Sequence, residues 1–224
     1  MAAGGDRVLL ILEKAGHNVS APTLTGLAER SDLLSRDVNL STHIDDIVRN
    51  AEAQEAAEIV LVGHSYGGFP ATAAAHRLGA QVKQLILLDA FLPFDGEMFL
   101  DHAPSIRDQY RKMAKADANW HIPPLSSAAF GVEEQDQYWV DARLTPHPVG
   151  GYFERVSLDS RPSVFRKTYL RCSQAPGELL QKSVGRVKAD AEWGYLELDA
   201  PHDAIISHPH LLSDTLLRHV DGEK

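Results

Sequence analysis

The sequence predicts an α/β domain: a mostly parallel sheet flanked by helices. Two buried apolar runs, EIVLVG (58–63) and QLILLDA (84–90), are separated by the helical stretch GGFPATAAAHRLGA. Two further strands, FRKTYLRC (165–172) and WGYLELDA (193–200), are each followed by a helical pattern. Strands that alternate with helices favour a parallel sheet whose strands are buried on both faces.

The elements before the first buried strand are predicted from shorter signals. The spacing LLxxLxKAGH predicts a helix that ends at Gly16, a typical C-terminal cap. NVSAPTL (18–24) predicts a short strand. The following helix, STHIDDIVRNAEA, is expected to begin at the capping residue Ser41, with Asp45 near its first turn.

The regular alternation stops at Phe91 and resumes after Pro162. The segment between them is rich in aromatics and prolines and holds only short helical pieces. An insertion this long in a compact domain is usually functional, often as a lid. We therefore predict a core formed by residues 1–90 and 163–224, with a cap insertion of residues 91–162 after the strand that ends at Asp89.

Length and composition exclude several classes of protein. The chain has 224 residues, enough for one sizeable domain, and is 44% hydrophobic and 24% charged. A net charge of −9 argues against nucleic-acid binding. The apolar block VLLIL is too short for a signal peptide or a membrane span, so we expect a cytoplasmic protein. The one cysteine, Cys172, lies in an apolar run and is expected in the core.

A candidate nucleophile lies where the first buried strand ends. VLVGHSYGGFPA (60–71) contains the pattern G-x-S-x-G, with Ser65 at its centre. This motif needs a strand before it and a helix after it, so that a tight turn exposes the serine, and both are predicted here. The backbone N–H of Tyr66, the residue after the nucleophile, is the expected oxyanion donor.

The general base is expected after the last strand. In LELDAPHDAIISHPHLL, His202 lies in a short loop between that strand and a helix, whereas His208 and His210 fall at the start of the helix as surface or capping residues. The other histidines lack metal-ligand spacing with acids, so no metal site is expected.

Several stretches together resemble one family: AGHNVSAPTLTGLAERSDLL, NLSTHIDDIV, VLVGHSYGG, LILLDAFLPFDG, YWVDARLTPHP and PHDAIISHP. They look like small bacterial α/β-hydrolases related to plant methylesterases and hydroxynitrile lyases. The resemblance covers nearly the whole chain. It implies the α/β-hydrolase fold, a Ser-His-acid triad, hydrolysis of a small ester and no cofactor.

The triad acid departs from the pattern of these relatives. Methylesterase-type relatives usually carry it after the strand matching RKTYLRC, where this chain has SQAPGE and the nearest carboxylate is Glu178. Other α/β-hydrolases place it after the strand next to the nucleophile's, which points to Asp89. Adjacent parallel strands end side by side, so Asp89 and Ser65 should share one sheet edge. We expect Asp89, with Glu178 as the alternative, Asp199 a minor one, and Asp203 pointing away from His202.

The start of the chain is a second departure. Relatives open with a strand and a histidine-glycine loop that supplies half of the oxyanion hole, whereas this chain matches them from the following helix onward. We expect that strand and loop to be missing, which leaves the N–H of Tyr66 and whatever donors Ala2–Gly5 provide.

The expected partner is a small-molecule ester, with no nucleic acid and no membrane, and a homodimer is left open. His64 and the aromatic residues Phe91 and Trp120 are the predicted substrate contacts. Three other functions remain open: a hydroxynitrile lyase, a carbamate or amide hydrolase, and a catalytically impaired binding protein. In the lyases a lysine follows the catalytic histidine, and Asp203 here counts against that reading.

Overall fold

The computed structural model describes residues 5–116, 120–159, 163–176 and 178–220. Its helices are α1 (Gly5–Lys14), α2 (Leu40–Ala53), α3 (Gly68–Leu78), α4 (Pro104–Ala116), α5 (Glu134–Asp141), α6 (Gly150–Phe153), α7 (Gln181–Ala189), α8 (Ala204–Ser207) and α9 (Pro209–Val220). Its strands are β1 (Ile59–His64), β2 (Val82–Leu88), β3 (His121–Ile122), β4 (His147–Pro148), β5 (Arg166–Cys172) and β6 (Trp193–Leu198).

The main sheet is parallel, in the order β1-β2-β5-β6. The central strand β2 is the most buried, and its last five residues, 84–88, are at most 2% exposed. Apolar clusters on both faces of the sheet bury β2 and β5 against the helices. The predicted α/β architecture with a parallel sheet flanked by helices is therefore confirmed. Strand β1 is only partly buried, with Val62 47% exposed, so the prediction that it is buried on both faces is wrong.

Helix α3 packs closely because its facing residues are small. Every residue from Gly68 to Ala75 is buried. A Cβ atom added to Gly68 would overlap the carbonyl oxygen of Phe91, and one added to Gly63 would lie 2.9 Å from Cβ of Ala71. These glycines let the start of the helix lie directly against the ends of β1 and β2.

Two local predictions are wrong and one is confirmed. Residues 18–24 form no strand and run as irregular chain with no sheet partner. Helix α2 is capped by Asn39, whose side chain accepts from the N–H of Thr42, while Ser41 instead binds the carboxylate of Glu154. The predicted cap of α1 is present, since Gly16 has a φ of +94° just after the helix.

The segment 91–162 contains α4, α5, α6 and the antiparallel pair β3–β4. It reaches the core at a bridge between Asn39 and Gly150. The domain limits and the lid role of this segment stay a prediction. In the part of the chain that the structure describes, no helix is both long and apolar enough to cross a membrane.

Candidate active site

The candidate nucleophile lies in a strained turn between β1 and α3. Ser65 has a φ of +53°, in the left-handed region that non-glycine residues rarely adopt. Its carbonyl oxygen accepts from the N–H of Phe91 at 3.1 Å. The turn presents the serine at the carboxyl end of the sheet, next to the N-terminal end of α3, where the helix dipole favours negative charge.

The candidate base and acid are hydrogen-bonded to each other. Nδ1 of His202, in the loop between β6 and α8, lies 2.6 Å from Oδ2 of Asp89. Asp89 directly follows β2 and is fully buried. Because the carboxylate accepts, Nδ1 of His202 carries the proton and Nε2 keeps a lone pair.

The environment of Asp89 favours its ionised form. Burial raises the pKa of this carboxyl, but the hydrogen bond and charge of His202 and the guanidinium of Arg171 outweigh it, so the pKa is lowered overall. Among the described residues, Ser65 Oγ has no hydrogen-bond partner. Contacts of catalytic groups are often long without substrate, so this geometry is compatible with a nucleophile and its base.

The other candidate acids lie elsewhere. Glu178 is exposed, in a short 3₁₀ turn before α7. Asp199 accepts hydrogen bonds from Ser173 and Gln174. Asp203 makes no side-chain hydrogen bond to any described residue, and burial raises its pKa to about 6. Within the described residues, Asp89 is thus the carboxylate that contacts the His202 imidazole.

Sequence reasoning missed Arg171, at the end of β5. Its guanidinium forms an ion pair with Oδ1 of Asp89 and also donates to the carbonyls of Cys172 and Ala175. The backbone N–H of Cys172 donates to the same Oδ1 at 3.2 Å. The register of the two strands would have pointed to Arg171. Leu88 pairs with Leu170, so the residues that follow them, Asp89 and Arg171, lie side by side.

His64 contacts the base rather than open space. Its Nε2 lies 3.0 Å from the backbone oxygen of His202, and the two rings have centroids 4.6 Å apart. A carbonyl only accepts, so Nε2 of His64 is protonated. Burial lowers the pKa of His64 to about 3, which keeps the ring neutral near pH 7. Its predicted contact with substrate stays a prediction.

The side chain of Tyr66 is held by a hydrogen bond to His43. Its hydroxyl lies 2.9 Å from Nδ1 of His43, whose Nε2 lies 3.0 Å from the carbonyl oxygen of Thr25. Since Nε2 must donate to that carbonyl, Nδ1 of His43 accepts from the tyrosine. The Tyr66 ring also packs against His147 and Tyr152 of the 91–162 segment. These contacts fix the residue whose N–H is the candidate oxyanion donor.

The two aromatic residues predicted to bind substrate are packed within the protein. The ring of Phe91 contacts Phe99, with centroids 4.6 Å apart. The ring of Trp120 lies near Phe153 and Arg36. Phe130, which the sequence did not single out, has its ring 5.8 Å from that of His202. Substrate contacts of Phe91 and Trp120 stay predictions.

A second oxyanion donor from Ala2–Gly5 is left open by the sequence. Residues 2–4 lie outside the described part of the chain, and Gly5 begins α1. Across the described residues, no group of three or more His, Cys, Asp or Glu side chains is arranged to hold a metal ion.

A sequence model of the alpha/beta hydrolase family matches residues 4–215. The chain belongs to the alpha/beta hydrolase family. The match spans the elbow, the 91–162 segment and the loop that carries His202.

Three proteins illustrate what this alpha/beta hydrolase is similar to. A carbendazim hydrolyzing esterase from Nocardioides sp. (strain SG-4G) is 28% identical over 216 residues, which cover 92% of this chain and 89% of the relative. An alpha-hydroxynitrile lyase from Arabidopsis thaliana is 33% identical over 109 residues, which cover 46% of this chain and 39% of the lyase. The solved structure of an extracellular alpha/beta-hydrolase from a Paenibacillus species superposes with a TM-score of 0.82 at 19% identity, over 97% of this chain and 93% of the other.

Proposed function

We propose that this alpha/beta hydrolase is a serine esterase that cleaves a small carboxylic ester through Ser65, His202 and Asp89. The observation that carries the proposal is the 2.6 Å contact between His202 Nδ1 and Asp89 Oδ2, at the sheet edge where Ser65 occupies its strained turn. That contact fixes the tautomer in which Nε2 can accept a proton from a serine hydroxyl.

In the first half of the reaction, Oγ of Ser65 attacks the ester carbonyl carbon while Nε2 of His202 takes the hydroxyl proton. The carbonyl oxygen becomes an oxyanion, which accepts a hydrogen bond from the N–H of Tyr66. Asp89 stabilises the imidazolium and does not itself take the proton. When the tetrahedral intermediate collapses, the C–O bond breaks and His202 gives the proton to the departing alcohol.

The second half repeats these steps with water. Nε2 of His202 removes a proton from a water molecule, whose oxygen attacks the acyl-enzyme carbonyl. Collapse of the new intermediate releases the carboxylic acid, and the proton on His202 returns to Ser65 Oγ. The cycle restores the free serine and needs no cofactor.

The relatives support an ester as the substrate. One of them is named for hydrolysing carbendazim, and its match extends over 92% of this chain. The rings of Tyr66, Phe130 and His147 lie around the elbow and the base, which favours a substrate with an apolar or aromatic part. We therefore include carbendazim with short-chain esters among the first substrates to test.

The deciding experiment combines labelling with turnover. The purified chain is incubated with a fluorophosphonate probe and assayed on p-nitrophenyl esters of increasing acyl length, on carbendazim and on an aromatic cyanohydrin. We expect labelling of wild type, none of Ser65→Ala, and release of p-nitrophenol from the short acyl esters. Ser105→Ala, at an exposed position in α4, serves as the matched control.

Each alternative has its own outcome. Cyanide release without ester turnover would replace the esterase by a hydroxynitrile lyase. Turnover of carbendazim with none of the p-nitrophenyl esters would identify a carbamate hydrolase. Wild-type protein that is folded but neither labelled nor active would indicate a binding protein on a hydrolase fold.

A further inference from the structure

We propose that Arg171 is a positioning residue for the triad acid: it fixes Asp89 and offsets part of its negative charge, which keeps His202 unprotonated, and the enzyme active, at lower pH. This inference rests on the proposed function, since it assigns His202 as the base. Asp89 alone would favour the imidazolium, and a cation on the other side of the carboxylate opposes that effect.

The fold places the guanidinium beside the carboxylate through the sheet. Strands β2 and β5 are neighbours, and the N–H of Asp89 donates to the carbonyl of Leu170 at 2.7 Å. Arg171 is the next residue on β5, so its side chain starts from the position adjacent to Asp89. The two groups form an ion pair in which the Arg171 side chain is 11% exposed and the Asp89 side chain is fully buried.

Arg171 is held at this place by contacts that do not depend on Asp89. One terminal nitrogen donates to the carbonyl of Cys172 at 2.7 Å, and the other donates to the carbonyl of Ala175 at 2.8 Å. The cation is therefore fixed to the backbone on one side and to the carboxylate on the other. Asp89 presents its two oxygens to different side chains, Oδ1 to Arg171 and Oδ2 to His202.

The sign of the effect follows from the charges. A fixed positive charge near His202 makes the protonated imidazole less favourable, and burial of the pair weakens screening by water. His202 then stays in the base form to a lower pH than it would with Asp89 alone. The price is a weaker stabilisation of the imidazolium during the reaction.

Titratable groups from several elements lie around His202, Asp89 and Arg171. Tyr169 on β5 and Tyr195 on β6 lie near Asp89 and Arg171, and burial raises the pKa of both tyrosines, so they are uncharged. His64, from β1, is neutral near pH 7 because burial lowers its pKa to about 3. Burial raises the pKa of Cys172, on β5, to about 12, so that thiol is uncharged as well. Asp203, in the same loop as His202, is a further acid near it among the described residues, and burial raises its pKa to about 6. From the described part of the 91–162 segment, the uncharged ring of Phe130 lies beside His202.

The test is the pH dependence of kcat/KM for wild type, Arg171→Gln and Arg171→Lys on the best ester found. For Arg171→Gln, we expect the fall of kcat/KM on the acid side of the profile (the acid limb) to move up by about one pH unit. The factor by which kcat/KM of Arg171→Gln lies below that of wild type is then roughly tenfold larger at pH 5.5 than at pH 8.5. Arg171→Lys keeps the charge, so its limb should stay at the wild-type position, with any loss of rate the same at every pH.

An acid limb of Arg171→Gln that coincides with wild type overturns the inference. If circular dichroism shows that Arg171→Gln is unfolded, Arg171→Lys provides the test. An acid limb of Arg171→Lys that moves by a full pH unit, although the positive charge is retained, also contradicts the inference. An NMR titration of the His202 imidazole in Ser65→Ala, with and without Arg171→Gln, tests the inference without any turnover. We expect its midpoint to move up by the same one pH unit when Arg171→Gln is present. If wild type hydrolyses no ester, the proposed function fails, while this titration still tests Arg171.

Discussion

The imidazole of His202 and the carboxylate of Asp89 are joined by a 2.6 Å hydrogen bond although they lie 113 positions apart in the sequence. Asp89 follows the central strand β2, and His202 follows the last strand, β6. The 91–162 segment lies between them in the chain, yet both residues return to the same edge of the sheet. A parallel sheet brings its carboxyl ends together, so distant residues can form one site.

The first prediction concerns Asp89→Asn. An asparagine amide can donate to Nδ1 of His202, which favours the tautomer with its proton on Nε2, and that tautomer cannot accept from Ser65. We expect kcat to fall by about 10³–10⁴, as expected for loss of a triad acid. Stopped-flow or steady-state hydrolysis of p-nitrophenyl acetate measures the change.

Glu178→Gln is the matched control for this substitution. Glu178 is exposed, and no hydrogen bond links it to His202 in the described residues. We expect its kcat to stay within about twofold of wild type, in line with surface changes. Near wild-type kcat for Asp89→Asn, together with a collapse for Glu178→Gln, would reverse the assignment of the acid.

The sequence predicts the main strands and helices because each carries a strong local signal. Apolar runs such as VLVG and LILL predict strands between helices, and the structure buries LILL but leaves Val62 of VLVG 47% exposed. The elbow, the loop of His202 and the end of β2 each follow a strand of one parallel sheet. The position of Asp89 beside the elbow was available for the same reason. The prediction that Asp89 lies beside the elbow rests on the rule that adjacent parallel strands end side by side.

Some features could not be predicted because contacts between distant segments decide them. Asn39 and Ser41 are both good caps, and the structure uses Asn39 because Ser41 binds Glu154 from a distant segment. Residues 18–24 have the composition of a strand but meet no partner strand. Arg171 depends on the register between β2 and β5, which a single strand does not reveal.

The second prediction concerns Gly68→Ala, at the start of α3. The added Cβ would overlap the carbonyl oxygen of Phe91, which is backbone and cannot rotate away. We expect a loss of about 1–3 kcal/mol in the free energy of unfolding, typical of overpacking. Urea unfolding at neutral pH measures it.

Gly67→Ala is the neighbouring control. Gly67 has a φ of −56°, and a Cβ built there meets no described atom within 4 Å. We expect a change of less than about 0.5 kcal/mol, because a side chain in open space at ordinary φ adds no strain. Equal losses at both positions would show that close packing against Phe91 is not what requires Gly68.

The third prediction tests the strain at Ser65. Its φ of +53° disfavours any residue with a Cβ atom, whereas glycine adopts this region freely. Both Ser65→Gly and Ser65→Ala remove the hydroxyl, but we expect the glycine variant to be more stable by about 1 kcal/mol. Thermal unfolding of the two variants compares their stabilities directly.

The control for this comparison is an exposed serine in a regular helix. At Ser105, in α4, the order should reverse, with Ser105→Ala more stable than Ser105→Gly by about 1 kcal/mol. If alanine and glycine are equally stable at position 65, the turn is not strained and Ser65 needs no special backbone.

The fourth prediction concerns the acid sensitivity of the fold through His102, whose side chain is fully buried. Burial, followed by the charge of Lys182, lowers the pKa of His102 from 6.5 to about 4. Between these values the unfolded chain binds a proton that the folded chain does not, so stability falls as the pH drops. By linkage this single group lowers the free energy of unfolding by up to about 2 kcal/mol at pH 5.

Urea unfolding at pH 7.5 and pH 5 measures this loss of stability. The loss should be smaller for His102→Gln than for wild type, whereas His210→Gln, at an exposed position, should lose as much stability as wild type. An unchanged loss in His102→Gln would contradict the assignment of this pH dependence to His102.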